Sequence, residues 1–272
     1  MKSRLTITLP DSLLRQIDEI VDKQTIRNRS HAIEHLVRQS LTPQITTAII
    51  LAGGKKHDAN NPVLTEINGE VLIALTIKNL NLYGIKHIII CTTKDDTEIQ
   101  KFCGDGKQFG VSIQYSYESA PLGTAGALKK AQSLLKNESP FLVIHGDVLT
   151  DIKLDEVFEF HLQEGAQATM IVKPKLSTKL YGQVSIQGNR ITTFAEAGTE
   201  SGISFINTGV YVLNWEVLQT IPSKKSTFLE SDIFPTLAKK NQLRAYFFQG
   251  LWYDVSTPEQ HDEAVSNWSK RS

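Results

Sequence analysis

The opening forty or so residues hold one strand and two helices, too little for a lone chain to bury a core. Leu5, Ile7 and Leu9 alternate with Arg4, Thr6 and Thr8, the period of two expected of a strand with one apolar and one polar face. Pro10 ends that strand, and Asp11 is a good cap for a helix whose apolar face is Leu13, Leu14, Ile17, Ile20 and Val21. Thr25–Arg29 is a polar break. Ser30 then reads as the cap of a second helix with Ile33, Leu36, Val37 and Leu41 on one face, and Pro43 follows its exit. A unit near or below ~40 residues is at the limit of independent folding, and a single strand leaves both its edges unpaired. Two copies that pair strands and interlock helices solve both problems. The pattern therefore predicts a homodimer through residues 1–44, with a flexible N-terminal decoration as the alternative.

Three segments give the head a family likeness: Arg4-Leu-Thr-Ile-Thr-Leu-Pro10, Asp11-Ser-Leu-Leu14 and Arg27-Asn-Arg-Ser30. At these lengths the head resembles the ribbon-helix-helix family of DNA-binding regulators. The resemblance implies a two-stranded ribbon in the major groove of a palindromic operator. Lys2, Arg4, Thr6 and Thr8 would lie on the DNA side, and backbone N–H groups at Arg29 and Ser30 would meet a phosphate. The plain alternative is a solvated strand face, since Thr is common on exposed strands. His31 and His35, four apart on the second helix, have a spacing that can hold a metal. No carboxylate or cysteine completes a set, so they read as exposed polar residues.

From Thr46 the grammar changes. Near-continuous apolar runs at Thr47–Ala52, His87–Thr92 and Phe141–Ile144, with a strand at Ser112–Tyr117, alternate with helices near Val71–Tyr83, Asp96–Phe102 and Thr124–Leu135. Such alternation predicts an α/β domain over residues 45–272 with a doubly wound sheet whose ligands bind at the carboxyl ends of the strands. Gly53-Gly54 and Gly146-Asp147 fall at those ends. A carboxylate at a strand end beside a phosphate site is a common way to hold Mg²⁺, which makes Asp147 a candidate ligand, with Asp254 as a second. A turn or cap role is the alternative for each.

Composition narrows the setting. Cys91 and Cys103 are too few for a disulfide framework and make no C-x-x-C site, which suits a reduced, cytoplasmic protein. No apolar stretch has signal-peptide length or approaches the ~20 residues of a membrane span. The 29 basic and 29 acidic residues cancel, but residues 1–44 hold seven basic against five acidic, so neutrality averages a mildly basic head with a mildly acidic body.

Six body segments are similar to the sugar-phosphate nucleotidyltransferase family. They are Ile49-Ile-Leu-Ala-Gly-Gly54, Glu118-Ser-Ala-Pro-Leu-Gly-Thr-Ala-Gly-Ala-Leu128, His145-Gly-Asp-Val-Leu-Thr-Asp151, Tyr181-Gly-Gln-Val184, Phe205-Ile-Asn-Thr-Gly-Val-Tyr211 and Trp252-Tyr-Asp-Val-Ser-Thr-Pro258. The resemblance implies a Rossmann-like, GT-A-like domain with a mixed, mostly parallel sheet. It implies nucleotide contacts at Leu51, Ala52, Gly53, Gly54, Glu118, Gly123, Thr124 and Ala125, and sugar contacts at Gly182, Glu196 and Asn207. Mg²⁺ would sit on Asp147 and Asp254, and no tightly bound organic cofactor is expected. In the family a sugar 1-phosphate attacks the α-phosphate of a nucleoside triphosphate, a reaction that is mostly positioning and charge neutralisation.

The family's cationic residues do not match. Its signature loop reads Gly-x-Gly-x-Arg and then Pro-Lys-x-Leu before Asn-Gly. Here the loop is shorter, holds no Arg, and has Pro62 where the lysine would be. The family's Glu-Lys-Pro reads Glu196-Ala-Gly198. Lys55, Lys56 and His57 remain in the loop, and Lys173 ends a strand as another candidate. No catalytic residue is assigned. Losing one preorganised charge contact commonly costs ~10²–10³ in rate. The reading is a DNA-binding regulator whose body binds or senses a nucleotide, sugar phosphate or nucleotide sugar. The alternatives are an active sugar-1-phosphate nucleotidyltransferase with a DNA-binding head, or an assembly protein using the head only to dimerise. A dimer of dimers is compatible with any of these.

Overall fold

The computed structural model describes residues 6–21, 26–41, 45–53, 61–135, 139–176, 182–195, 203–223 and 226–269. The chain divides into two compact units, Met1–Gln44 and Ile45–Ser272.

The first unit packs α1 (Asp11–Ile20) on α2 (Arg29–Leu41), burying Ile17 and Ala32. Pro10, not Asp11, is the cap of α1: its carbonyl accepts from the Leu13 and Leu14 N–H groups at 3.0 and 3.1 Å. Asp11 sits one place later, in the first turn, where an acid still suits the positive end of the helix. At α2 the cap is Asn28 rather than Ser30. The Asn28 side-chain oxygen accepts from His31 N–H at 3.0 Å, and its carbonyl accepts from Ala32 N–H at 2.9 Å. Thr6–Pro10 form no ladder among the described residues, and Ile7, Leu13 and Val37 are exposed apolar residues. Arg29 grips Asp18 through two bonds of 2.6 and 2.7 Å, which hold the Asp18 carboxyl below its ordinary range.

In the second unit β1 (Thr47–Leu51) is followed by a 3₁₀ turn at Pro62–Leu64 and a small hairpin, β2 (Glu66–Ile67) and β3 (Glu70–Val71). Its turn residues Asn68 and Gly69 have φ of 53° and 85°, the conformation that favours Asn-Gly. Then come α3 (Leu72–Leu82), β4 (His87–Thr93), α4 (Thr97–Cys103), β5 (Ser112–Glu118), α5 (Gly123–Ala131) and β6 (Phe141–His145). Next are β7 (Val148–Thr150), α6 (Leu154–Glu164), β8 (Ala168–Leu176), β9 (Gln183–Gln187), β10 (Arg190–Ala195) and β11 (Ile203–Leu213). The chain continues with α7 (Trp215–Thr220), a π-helical turn at Leu229–Ile233, α8 (Phe234–Lys239), β12 (Leu243–Phe247), β13 (Trp252–Asp254) and α9 (Pro258–Trp268).

Nine strands form one mixed sheet in the order β5-β4-β1-β6-β11-β8-β12-β10-β9. The first four are parallel, β11 is antiparallel to both its neighbours, and β12 runs parallel to β8. β9 also bonds to the first half of β11, through Phe205–Val184 and Ile206–Gln183. Apolar layers cover both faces. Ile50, Ile144 and Val212 point into one, while Ile49, Val143 and Tyr211 point into the other. That two-sided burial is why these strands read as unbroken apolar runs. Because β1, β5 and β6 are parallel, Gly53, Glu118 and Gly146-Asp147 share one end of the sheet.

Among the described residues no helix is long and apolar enough to cross a membrane. Both cysteines are free and buried. Burial pushes the Cys103 thiol up to about 12 and raises Cys91 further, so neither is a ready thiolate.

Candidate active site

At the end of β6 the chain turns through Gly146, whose N–H donates to the Leu51 carbonyl at 2.9 Å. Asp147 follows and leads into β7. β13 runs antiparallel to β7 with Asp254 opposite Val148, and Val255 N–H donates to the Asp147 carbonyl at 3.0 Å. Two aspartates distant in sequence, Asp147 in the turn before β7 and Asp254 at the end of β13, thus line one cleft of about 550 Å³. Asp254 Oδ1 accepts from Ser256 N–H at 3.1 Å and Ser256 Oγ at 2.6 Å, which fixes its orientation. Among the described residues no three His, Cys, Asp or Glu side chains converge on one point. A pair of hard oxygen donors beside an open cleft nevertheless fits Mg²⁺, which commonly takes one or two carboxylates and completes its shell with water and phosphate oxygens.

The floor of the cleft is a polar network. Asn207 Nδ2 donates to the Tyr211 hydroxyl at 2.7 Å, and that hydroxyl donates to Glu230 Oε1 at 3.0 Å. Thr124 Oγ1 donates to Glu230 Oε2 at 2.8 Å and accepts from Leu229 N–H at 2.8 Å. Full burial and the neighbouring Glu230 carboxylate push the Tyr211 hydroxyl well above its usual pKa, so it stays a donor. The network exists because β11 bulges against β8 between Asn207 and Tyr211, and Gly209, at φ 76°, turns the backbone there. His145 lies across that glycine: a Cβ at position 209 would come within 3.0 Å of the imidazole. Trp252 forms part of the wall, its indole N–H donating to the Thr208 carbonyl at 2.8 Å.

At the sheet end Glu118 is 4% exposed and accepts from Leu122 N–H at 2.9 Å. Burial raises its pKa. Gly53 backs onto it, with 3.5 Å between a notional Cβ and Glu118 Oε1. α5 begins against another loop. Thr227 N–H donates to the Leu122 carbonyl at 2.9 Å, and the Thr227 carbonyl accepts from Ala125 and Gly126 at 3.0 and 3.1 Å. Two N–H groups of the first turn of α5, those of Ala125 and Gly126, are therefore engaged by Thr227.

Of the residues singled out from the sequence, Thr124, Asp147, Gly182, Asn207 and Asp254 all line the cleft. Leu51, Ala52, Gly53 and Glu118 lie at the carboxyl ends of β1 and β5, Ala52 N–H donating to the Cys91 carbonyl at 2.8 Å. Ala125 N–H is bonded to the Thr227 carbonyl, and Gly123 packs closely against that residue. Lys2, Arg4, Gly54, Lys55, Lys56, His57 and Glu196 lie outside the described residues. Thr6 and Thr8 are exposed, as are Arg29 and Ser30 at the start of α2. Pro62 is buried in its 3₁₀ turn. Lys173 donates to the Gly250 carbonyl at 2.6 Å and lies 5.4 Å over the Phe248 ring. His145, Tyr211, Glu230 and Trp252 escaped the sequence reading. His145 directly precedes the Gly-Asp pair, and Tyr211 and Trp252 stood at the ends of quoted segments. Glu230 sits in a π-helical turn, a feature frequent at functional sites that leaves no simple spacing signal.

A family model described as Nucleotidyl transferase matches residues 47–270, and one described as Ribbon-helix-helix protein, copG family, matches residues 3–42. A mannose-1-phosphate guanyltransferase of Aspergillus oryzae is 33% identical over 223 residues, covering 78% of this chain and 61% of that protein. The chain thus spans about three-fifths of the length of that relative. HddC from Yersinia pseudotuberculosis superimposes with a TM-score of 0.73 at 22% identity, covering 82% of this chain and 100% of that one. Its complex with GMP-PN superimposes with a TM-score of 0.70 at 21% identity and the same coverage.

Proposed function

We propose, for a chain that belongs to the nucleotidyl transferase family over residues 47–270 and carries a ribbon-helix-helix head, that the body binds a nucleotide sugar or its precursors and that the head binds DNA. Ligand binding would alter operator affinity, making the protein a regulator responsive to activated sugar. The observation that carries the ligand reading is the convergence of Asp147 and Asp254 on one cleft with Thr124, Gly182 and Asn207. The relative's name points to guanine and mannose as the first chemistry to test.

Asp147 and Asp254 would hold Mg²⁺, and the bound ion would neutralise phosphate charge. The chain's own residues do the rest. Asn207 and Gly182, joined by a bond of 3.3 Å from the Asn207 N–H to the Gly182 carbonyl, also line the cleft and offer neutral polar groups that suit a sugar. Glu118 and Gly53 stand at the strand ends, where a doubly wound sheet receives its nucleotide. Trp252 and Val148 supply apolar wall that excludes water.

A second reading, turnover of a sugar 1-phosphate with a nucleoside triphosphate, is favoured by the likeness to a guanyltransferase and by the retained aspartates. Against robust turnover stands the absence of a cation at Pro62. One experiment covers both. Purified protein is given Mg²⁺, GTP and mannose 1-phosphate and pyrophosphate release is followed, while GDP-mannose binding is measured calorimetrically. Binding without turnover supports the regulator. Release that Asp147→Ala abolishes establishes the enzyme, and absence of both rejects the nucleotide-sugar reading. Operator binding is tested by selection of DNA sites with the full chain. Salt-sensitive, sequence-specific binding that Thr6→Ala with Thr8→Ala removes supports the head's role.

A further inference from the structure

Glu230 presents a carboxylate at the bottom of the cleft, 34% exposed, and no Lys or Arg pairs with it among the described residues. Both oxygens are instead fixed by hydroxyl donors from separate elements, Tyr211 on β11 and Thr124 on α5. An ionised carboxylate has about four acceptor sites, so two internal donors orient it without exhausting it. Holding a partly buried carboxylate without a cation costs stability unless another donor arrives. The π-helical turn at Leu229–Ile233 is the device that carries it into the cleft.

His145 stands beside it. Its Nε2 is shielded from solvent and makes no hydrogen bond among the described residues, and Glu230 Oε1 lies 3.7 Å away, just past bonding reach. The ring is held edge-on to Tyr211, 5.8 Å between centroids, and rests over Gly209, where any side chain would crowd it. A hydroxyl that donates to the exposed part of the Glu230 carboxylate would lie against this fixed ring without reaching its shielded Nε2.

We infer that Glu230, with His145 beside it, is the specificity element of the cleft and reads a hydroxyl of the sugar moiety; this rests on the nucleotide-sugar reading above. An acceptor-only carboxylate repels phosphate and welcomes a neutral O–H donor. The cleft is therefore divided: phosphate belongs with Asp147 and Asp254, and the sugar hydroxyl belongs with Glu230.

The test is calorimetry on the full chain with Mg²⁺, comparing GDP-mannose with GDP. Glu230→Gln keeps the shape and one acceptor oxygen but removes the charge. A hydrogen bond to a charged group corresponds to roughly 10–100-fold in affinity, so the preference for GDP-mannose over GDP should fall by about that factor. Glu230→Asp, which keeps the charge but withdraws the carboxylate by one methylene, should lower the same preference by about 5-fold, and it serves should Glu230→Gln not fold. A preference unchanged in both variants, or equal losses for both ligands, overturns the assignment. Failure of the native protein to bind either ligand instead overturns the nucleotide-sugar reading, and this inference falls with it.

Discussion

Replacing Gly123 by alanine should destabilise the body far more than a glycine-to-alanine change ordinarily does. Gly123 has φ of 77°, a left-handed conformation that costs an L-residue about 1–2 kcal/mol. Space is the second difficulty. A Cβ there would lie 2.9 Å from the Thr227 carbonyl carbon and 3.2 Å from its nitrogen, and closer still to its oxygen. Non-bonded carbons settle at about 3.5–4.0 Å, and forced overpacking typically costs about 1–3 kcal/mol. Thr227 cannot simply retreat, because its carbonyl accepts from Ala125 and Gly126 and its N–H donates to Leu122. Together these give a loss of about 2–5 kcal/mol. The control is Gly165→Ala at the end of α6, where φ is 58° but nothing lies within 4 Å of the added carbon, so only the conformational part of about 1–2 kcal/mol applies. Urea unfolding followed by tryptophan fluorescence reports on the body alone, since Trp215, Trp252 and Trp268 all lie there. If Gly123→Ala costs no more than Gly165→Ala, the close approach of α5 to Thr227 is wrong, and so is the view that this glycine serves packing.

Glu118 gives a pH signature. Burial raises its folded-state pKa, so the folded state holds that proton more tightly than the unfolded one, and stability is lost as pH rises from about 4.3 through the folded value. Glu118→Gln should raise the melting temperature at pH 8, and the gain should vanish by pH 4; equal gains at both would contradict the burial argument. Tyr211→Phe strands Asn207 Nδ2 and Glu230 Oε1 and should cost about 1–3 kcal/mol in the same urea assay. In the head, Asn28→Ala should cost about 0.5–2 kcal/mol by loss of the α2 cap, while Ser30→Ala should have little effect on a thermal melt followed by circular dichroism.

The sequence made the parallel half of the body legible because Ile49 and Ile50, or Val143 and Ile144, are buried on opposite faces, and no polar alternation interrupts them. The hairpin at Asn68-Gly69 was not read, the pair having served only to align the loop before it, although its positive φ angles suit that dipeptide. The order of the second half could not be read. β11 slots between β6 and β8 by pairing across many residues, and nothing local to Ile203–Leu213 specifies that. The same distance hid Glu230, whose place in the cleft depends on hydroxyls from Thr124 and Tyr211. Asp147 was found because it follows an apolar strand and Asp254 through the segment that resembles the family, although only the β7–β13 pair shows why they belong together. At α2 the competition between Asn28 and Ser30 was settled by where the helix starts, a matter of one or two residues that pattern alone does not resolve.

The second pairing of β9 governs how the body can meet other chains. A sheet of nine strands ordinarily offers an incoming strand two rims as templates. Here β9 is bonded by β10 on one side and, over Gln183 and Val184, by β11 on the other, so that rim is partly closed, whereas β5 at the opposite end of the order has β4 as its one partner among the described strands. The β5 rim is modest: Ser112 and Gln114 face outward on it, and it runs for seven residues. Strand addition, whether productive or through aggregation, therefore meets an uninterrupted template at β5 and, at the β9 flank, an edge broken by the second pairing.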